Sequence, residues 1–312
     1  MTTATAPPLE VRQEPRPRRR NARWLRETLA AAPFIVPSLF LFAVFVFYPF
    51  IWSIWLGFHV TDPFGRHAVW VGTAQYRDVL TSPDFRHSLL VTGQFALYTV
   101  VGSTLLGLYL ALLVHRRLPG IVFFRTVYSS TVASSVAVSS VMWLLLLNPT
   151  AGVLNYVIGK GGIGGKDWLT DPHWALFAVA MTTIWMNVGL ATIVILAGLQ
   201  NIPEDLYESA RVDGAGPWHQ FVNVTLPGLS PTLLFVSVVG VIFAFESFGQ
   251  IDILTQGGPI NSTSVIVYSI YREAFLHYNI GLASAQAVVL FAIVLLVTAA
   301  QFLIARRWVF YR

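Results

Sequence analysis

A carboxyl, a hydroxyl and a carboxamide stand close together at Glu246, Ser247 and Gln250, directly after an apolar run that ends in Phe243, Ala244 and Phe245. Together they suit hydrogen bonding to a polyhydroxyl solute, and a carboxylate in apolar surroundings must face a cavity or a partner charge. Phe243 and Phe248 beside them offer apolar walls. A second cluster, Glu204, Asp205, Glu208, Arg211 and Asp213, lies between Pro203 and Gly214. A third, Gly159, Gly161 and Gly164 followed by Gly165-Lys166, has the spacing of a phosphate-binding loop. No strand precedes it, however, and Asp167 stands where such a loop needs Ser or Thr. The histidines (His59, His67, His87, His115, His173, His219, His277) are dispersed without metal-ligand spacing, and Cys is absent. No metal site and no nucleophilic triad is legible, so the chain reads as non-enzymatic.

The elements that must position these groups follow from composition. Of 312 residues, 55% are hydrophobic and only 11% charged, too few to cover a water-soluble domain. Apolar stretches of roughly 18 residues or more recur, and they are continuous rather than alternating, which selects helices over a barrel. The expected architecture is an all-α integral membrane protein with about six spans, near 31–58, 87–114, 121–147, 174–200, 229–250 and 284–305. Ser130, Thr131, Ser134, Ser135, Ser139 and Ser140 inside the third span read as small residues that let helices approach.

Residues 1–28, rich in Pro and Arg, read as a disordered cytoplasmic tail ahead of a membrane domain covering 29–312. Arg19-Arg20 faintly resembles a twin-arginine signal, but the apolar stretch that follows is too long and lacks a cleavage site, so it reads as a retained anchor. The tail, Arg116, Arg117, Arg125, Arg211, Arg306, Arg307 and Arg312 then share one side. Arg66, Arg77, Arg86, Lys160, Lys166 and Arg272 lie on the other. The positive-inside rule places both termini in the cytoplasm. The net charge of +5 is thereby explained as a topology signal, not as an affinity for nucleic acid.

The inner segment 201–228 is the most informative stretch. Pro203 marks a helix start, Glu204 and Asp205 occupy its first turn, and Gly214 ends it. With Leu206, Ala210 and Val212 among charges, the helix is amphipathic but too short to span. Its acidity disfavours lipid headgroups and favours a protein partner.

Glu208, Ser209, Ala210, then Gly214, then Val224, Leu226 and Pro227 resemble the "EAA" loop of permease subunits of binding-protein-dependent ABC importers. Ser209 replaces the middle Ala of that pattern and Val224 its Ile. The likeness extends over nearly all of the chain after the tail and is strongest to carbohydrate-type permeases and, within them, to the permease subunits for sn-glycerol-3-phosphate and glycerophosphodiesters. It is carried by Asp62-Pro63-Phe64-Gly65, Asn148-Pro149 with Gly152, Gly257-Gly258-Pro259, Ile270-Tyr271-Arg272-Glu273 and Ala283-Ser284-Ala285-Gln286.

The resemblance implies the type I importer permease fold in a bacterial cytoplasmic membrane. It also implies a second homologous permease subunit, two ATPase subunits that bind ATP and Mg²⁺, and an extracytoplasmic substrate-binding protein, with no cofactor held by this chain. By the same resemblance Glu208, Ser209, Ala210, Arg211, Asp213 and Gly214 couple to the ATPase. Glu246, Ser247, Gln250, Gly189, Thr192 and Phe243 match polar and apolar positions of a sugar site. The implied cargo is sn-glycerol-3-phosphate or a glycerophosphodiester such as glycerophosphocholine, or else a sugar of maltose or trehalose type. An ion-coupled secondary transporter is the competing class, but it needs an internal repeat and ion ligands that this sequence does not display.

Overall fold

The computed structural model describes residues 20–62, 68–115, 126, 130–161, 164–307 and 309. The remainder of the Arg-rich tail, Pro63 to Arg66, and Arg116, Arg117, Arg125 and Arg312 lie outside the described residues. Residues up to Trp52 form one unit and residues from Ser53 onward a second.

The first unit holds α1 (Arg20–Phe42), a π turn (Ala43–Phe47) and the start of α2 (Tyr48–Leu56). α1 begins inside the segment 1–28 expected to be an unstructured tail. Between Arg20 and Ala32 the sequence carries no Pro or Gly, and the Ala, Leu, Arg and Glu there are good helix formers, so the helix extends back to Arg20. The π turn has a local cause: Pro49 has no amide to offer the carbonyl four residues back, at Phe45, and the wide turn falls on that residue.

The second unit opens on a hairpin, β1 (His59–Thr61) and β2 (Ala68–Trp70), antiparallel with His59 opposite Trp70. Gln75, on α3 (Ala74–Thr81), donates to the carbonyls of His59 at 2.8 Å and Gly57 at 3.3 Å, which pins the hairpin's base. α4 (Pro83–His115) follows, then α5 (Val136–Leu146), α6 (Val153–Lys160) and α7 (Pro172–Gln200). α8 (Glu204–Val212) is next. α9 (Pro217–Gln220), a π turn (Phe221–Thr225) and α10 (Leu226–Phe245) run on as one continuous helix. Here too the π turn contains the residue, Asn223, whose carbonyl Pro227 deprives of the amide donor four residues on. The chain closes with α11 (Gly249–Leu254), α12 (Ile266–Tyr271) and α13 (Ile280–Ala305).

Among the described residues 5 helices are long and apolar enough to cross a membrane: Ala31–Leu56, Pro83–His115, Pro172–Gln200, Pro217–Phe245 and Ile280–Ala305. Of the span expected at 121–147, residues 121–125 and 127–129 lie outside the described residues, and the described part holds a 3₁₀ turn at Thr131–Ala133 and the 11-residue α5. The span expected at 229–250 does not run through to Gln250; its helix starts at Pro217 and breaks after Phe245.

α4, α7 and α10 make the core of the second unit. Phe95, Val179, Ala180 and Phe245 share one apolar cluster; Ala111, Ile195, Leu199 and Leu229 share another. Without a hydrophobic force between helices in lipid, close approach at small residues provides the packing energy. A Cβ on Gly107 would lie 2.8 Å from that of Ala191, and one on Gly198 would strike Thr232. Core hydroxyls bond back to their own helix, Thr92 to the Ser88 carbonyl at 2.6 Å and Thr99 to the Phe95 carbonyl at 2.8 Å, whereas Thr104 Oγ1 on the same helix is buried without a partner among the described residues.

Candidate functional site

α10 stops at Phe245, and the next helix begins only at Gly249. Glu246 caps α10 with its amide on the Ile242 carbonyl at 3.0 Å, Ser247 follows, and Phe248 sits at φ −129°, after which α11 restarts at Gly249. A Cβ on Gly249 would come within 3.1 Å of Val136, so its absence permits the close approach of α5. A broken helix of this kind exposes polar groups at membrane depth only where it lines a cavity. A cavity of about 500 Å³ is present at the break.

Thr131, Ser134, Thr183, Asn187, Phe243, Glu246, Ser247, Phe248 and Gln250 line it. Gln250 donates to Thr183 Oγ1 at 3.3 Å, and both side chains are buried. Ser247 Oγ donates to the Phe243 carbonyl at 2.8 Å. Glu246 is exposed to the cavity, and among the described lining residues it is the one ionisable side chain. The surface offered to a solute is thus several neutral hydrogen-bonding groups, one carboxylate and two phenyl rings.

Four of the six positions singled out from the sequence, Phe243, Glu246, Ser247 and Gln250, come together here. Gly189 and Thr192 do not. Thr192 is fully buried with its hydroxyl on the Val188 carbonyl at 2.7 Å, and its amide lies 3.2 Å from where a Cβ on Gly107 would stand. Thr192 belongs to the face of α7 that packs on α4, and Gly189 is buried outside the cavity lining. The face turned to the cavity carries Thr183, Asn187 and Leu190 instead, at helical i, i+4, i+7 spacing. That periodicity counted from Thr183 would have found Asn187 in the sequence. The serine-rich segment divides likewise: Ser139 and Ser140 are buried in packing, whereas Thr131 and Ser134 reach the cavity.

The second assembly is α8. Glu208, Ser209, Arg211 and Asp213 are exposed, while Leu206, Tyr207 and Ala210 are half-buried. Val212, expected on the apolar side, is 87% exposed, and Trp218 on α9 is 75% exposed. Arg211 and Glu208 form an exposed pair at 3.8 Å that contributes little. The helix ends in a two-bond cap: the Gly214 amide reaches the Arg211 carbonyl at 3.1 Å and the Ala215 amide reaches that of Ala210 at 2.8 Å. This motif requires a left-handed residue, and Gly214 has φ +78°. Tyr207 Oη lies 3.0 Å from Thr225 Oγ1, which ties α8 to the π turn below α10.

Residues 103–310 match the family of binding-protein-dependent transport system inner membrane components. The chain is 35% identical over 278 residues to the sn-glycerol-3-phosphate transport system permease protein UgpA of Brucella abortus, covering 89% of this chain and 94% of that protein. It is 34% identical over 268 residues to a probable ABC transporter permease protein of Pyrococcus horikoshii, covering 85% and 91%. A crystal structure of a bacterial ABC transporter involved in import of the acidic polysaccharide alginate superposes with a TM-score of 0.79 at 23% identity, over 92% of this chain and 99% of that one. A second structure of an alginate transporter, in complex with an alginate-bound periplasmic protein, gives the same TM-score at 22% identity. With a broken helix lining a membrane cavity and a short capped helix below it, the chain belongs to the inner membrane components of binding-protein-dependent ABC transporters, as a carbohydrate-type permease of the type I fold.

Proposed function

We propose that this permease forms half of the translocation pathway of an importer whose cargo is a glycerophosphodiester with a cationic head group, such as glycerophosphocholine. The observation that carries the cargo is the lining of the cavity, with Glu246 as its lone charge amid neutral hydrogen-bonding groups. The relatives that transport sn-glycerol-3-phosphate support the glycerol-phosphate part of this reading. A carboxylate repels a bare phosphate and attracts an ammonium, which favours the diester over the monoester. A neutral sugar is the second reading, favoured by the amides and hydroxyls of Asn187, Gln250, Thr131 and Ser134.

In this reading the chain performs no chemistry and binds no cofactor. A second, homologous permease completes the cavity, an extracytoplasmic binding protein delivers the solute, and two ATPase subunits holding ATP and Mg²⁺ dock on α8 through Glu208, Ser209, Ala210, Arg211, Asp213 and Gly214. The exposed Val212 and Trp218 supply apolar contact for that docking. Both termini then face the cytoplasm, on the side of α8. Swinging a two-state pore from 1:99 to 99:1 takes about 5.5 kcal/mol of differential binding. The lever is the helix from Pro217 to Phe245, about 43 Å long at 1.5 Å per residue, with α8 tied to its foot and the cavity at its head.

The test is ATP hydrolysis by the reconstituted complex with its binding protein and one candidate solute at a time. Stimulation by glycerophosphocholine and not by maltose or sn-glycerol-3-phosphate is the expected result. Stimulation by a disaccharide alone sinks the diester and leaves the importer standing.

A further inference from the structure

At the end of the bundle that carries α8, the first turns of α10 and the last turns of α13 part to form a cleft of about 660 Å³. Leu226, Leu233, Leu234 and Ile304 form its walls and Arg307 stands at its mouth. Its serines have their O–H donors committed to their own helix. Ser230 gives its hydroxyl to the Pro227 carbonyl at 2.6 Å and Ser237 gives its own to Leu234 at 2.8 Å. Gln301 donates its amide N–H to the Ser237 carbonyl at 3.5 Å, and its buried Oε1, without a partner among the described residues, is an acceptor that a phosphate would not engage. What is presented is an apolar slot with one cation at the rim.

Two features fix the occupant. α13 ends in Ala305, and Arg306 and Arg307 follow, so the mouth lies where the helix leaves the hydrocarbon and meets the headgroups. Both arginines are exposed and neither forms an ion pair among the described residues. Among the described residues its lining contains no carboxylate. An apolar helix laid over the slot would offer Arg307 no counter-charge. A phospholipid fits both parts, with an acyl chain between α10 and α13 and a phosphate on the guanidinium.

We infer that the cleft between α10 and α13 is a binding site for one anionic phospholipid of the leaflet on the α8 side, held by Arg307 and by the apolar wall around Ile304. The leaflet assignment rests on the proposed orientation of the importer; the site itself does not.

The complex is purified in detergent with equal amounts of phosphatidylglycerol and phosphatidylethanolamine, and retained lipids are counted by native mass spectrometry. The wild type is expected to keep phosphatidylglycerol in preference. Arg307→Gln lowers that preference at least threefold, while Arg307→Lys keeps it, because charge and not the guanidinium alone selects the lipid. Ile304→Trp fills the slot and removes about one retained lipid of either class. Unchanged selectivity in Arg307→Gln overturns the proposal, as does unchanged retention in Ile304→Trp. Should the tryptophan variant fail to assemble, the arginine pair decides alone. Because the count needs neither transport nor ATP hydrolysis, a complex that binds phosphatidylglycerol yet never imports a solute contradicts the importer reading and not this site.

Discussion

The phenol of Tyr207 and the hydroxyl of Thr225 lie 3.0 Å apart, so the short surface helix α8 is hydrogen-bonded to the foot of the helix whose far end opens on the cavity. Residues separated by 18 positions in sequence thereby form one mechanical joint. Replacing Tyr207 by Phe keeps the ring and removes the bond, a loss of about 0.5–1.5 kcal/mol that is too small to unfold the protein. The expected outcome is a several-fold fall in solute imported per ATP hydrolysed, read in proteoliposomes, with hydrolysis itself retained. An unchanged ratio would mean that the joint transmits nothing.

Gly214 separates conformational from steric cost. Its φ is +78°, yet no atom stands within 4 Å of where a Cβ would be. A β-branched residue there pays about 1–2 kcal/mol for the left-handed conformation alone. Gly214→Val is expected to abolish import, and Gly214→Asn to retain most of it, since Asn tolerates that region. Gly216, with φ −68° and equally open surroundings, is the control: Gly216→Ala should transport normally.

At the cavity, Glu246→Gln removes the carboxylate and keeps the size of the side chain. Uptake of glycerophosphocholine should fall and the ratio of sn-glycerol-3-phosphate to glycerophosphocholine transported should rise. Equal ratios in wild type and variant would remove Glu246 from cargo selection.

Packing of α4 on α7 depends on Gly107, where a Cβ would lie 2.8 Å from that of Ala191. Gly107→Leu overpacks the contact at a cost of about 1–3 kcal/mol and should lower the melting temperature of the purified complex. Gly93, on the same helix with nothing within 4 Å, should accept Ala without such a shift.

The start of α7 carries a pH signature. Asp171 accepts hydrogen bonds from the His173 backbone amide at 2.9 Å and from the His173 ring at 3.1 Å, and these hold its carboxyl below the usual range. A depressed folded-state pKa contributes stability that is present above the ordinary carboxylate pKa and is lost as pH falls through the folded value. Asp171→Ala should therefore melt below wild type at neutral pH, and the gap should close on acidification below the ordinary aspartate range.

The sequence by itself determined the solvent and the local geometry. Continuous apolar runs in Pro83–His115, Pro172–Gln200 and Ile280–Ala305 admit one solution in lipid, a helix with all its backbone bonds satisfied internally. Pro203 and Gly214 bounded α8 because their backbone preferences act within a few residues. Glu246, Ser247 and Gln250 were legible as a cluster because a carboxyl beside an apolar run is costly anywhere but at a cavity.

Only the tertiary structure decided which face of α7 meets that cavity. Gly189 and Asn187 lie two residues apart, and a helix with polar residues on more than one side, Thr183 and Asn187 on one and Thr182 and Thr192 on another, does not reveal which of them meets the cavity. Rotation is set by whether Gly107 and Gly102 on α4 find small or yielding partners in Ala191 and Ile184, a contact between segments some 80 residues apart. The break after Phe245, where Gly249 meets Val136, was decided in the same way, whereas Val212, 87% exposed, has little packed against it.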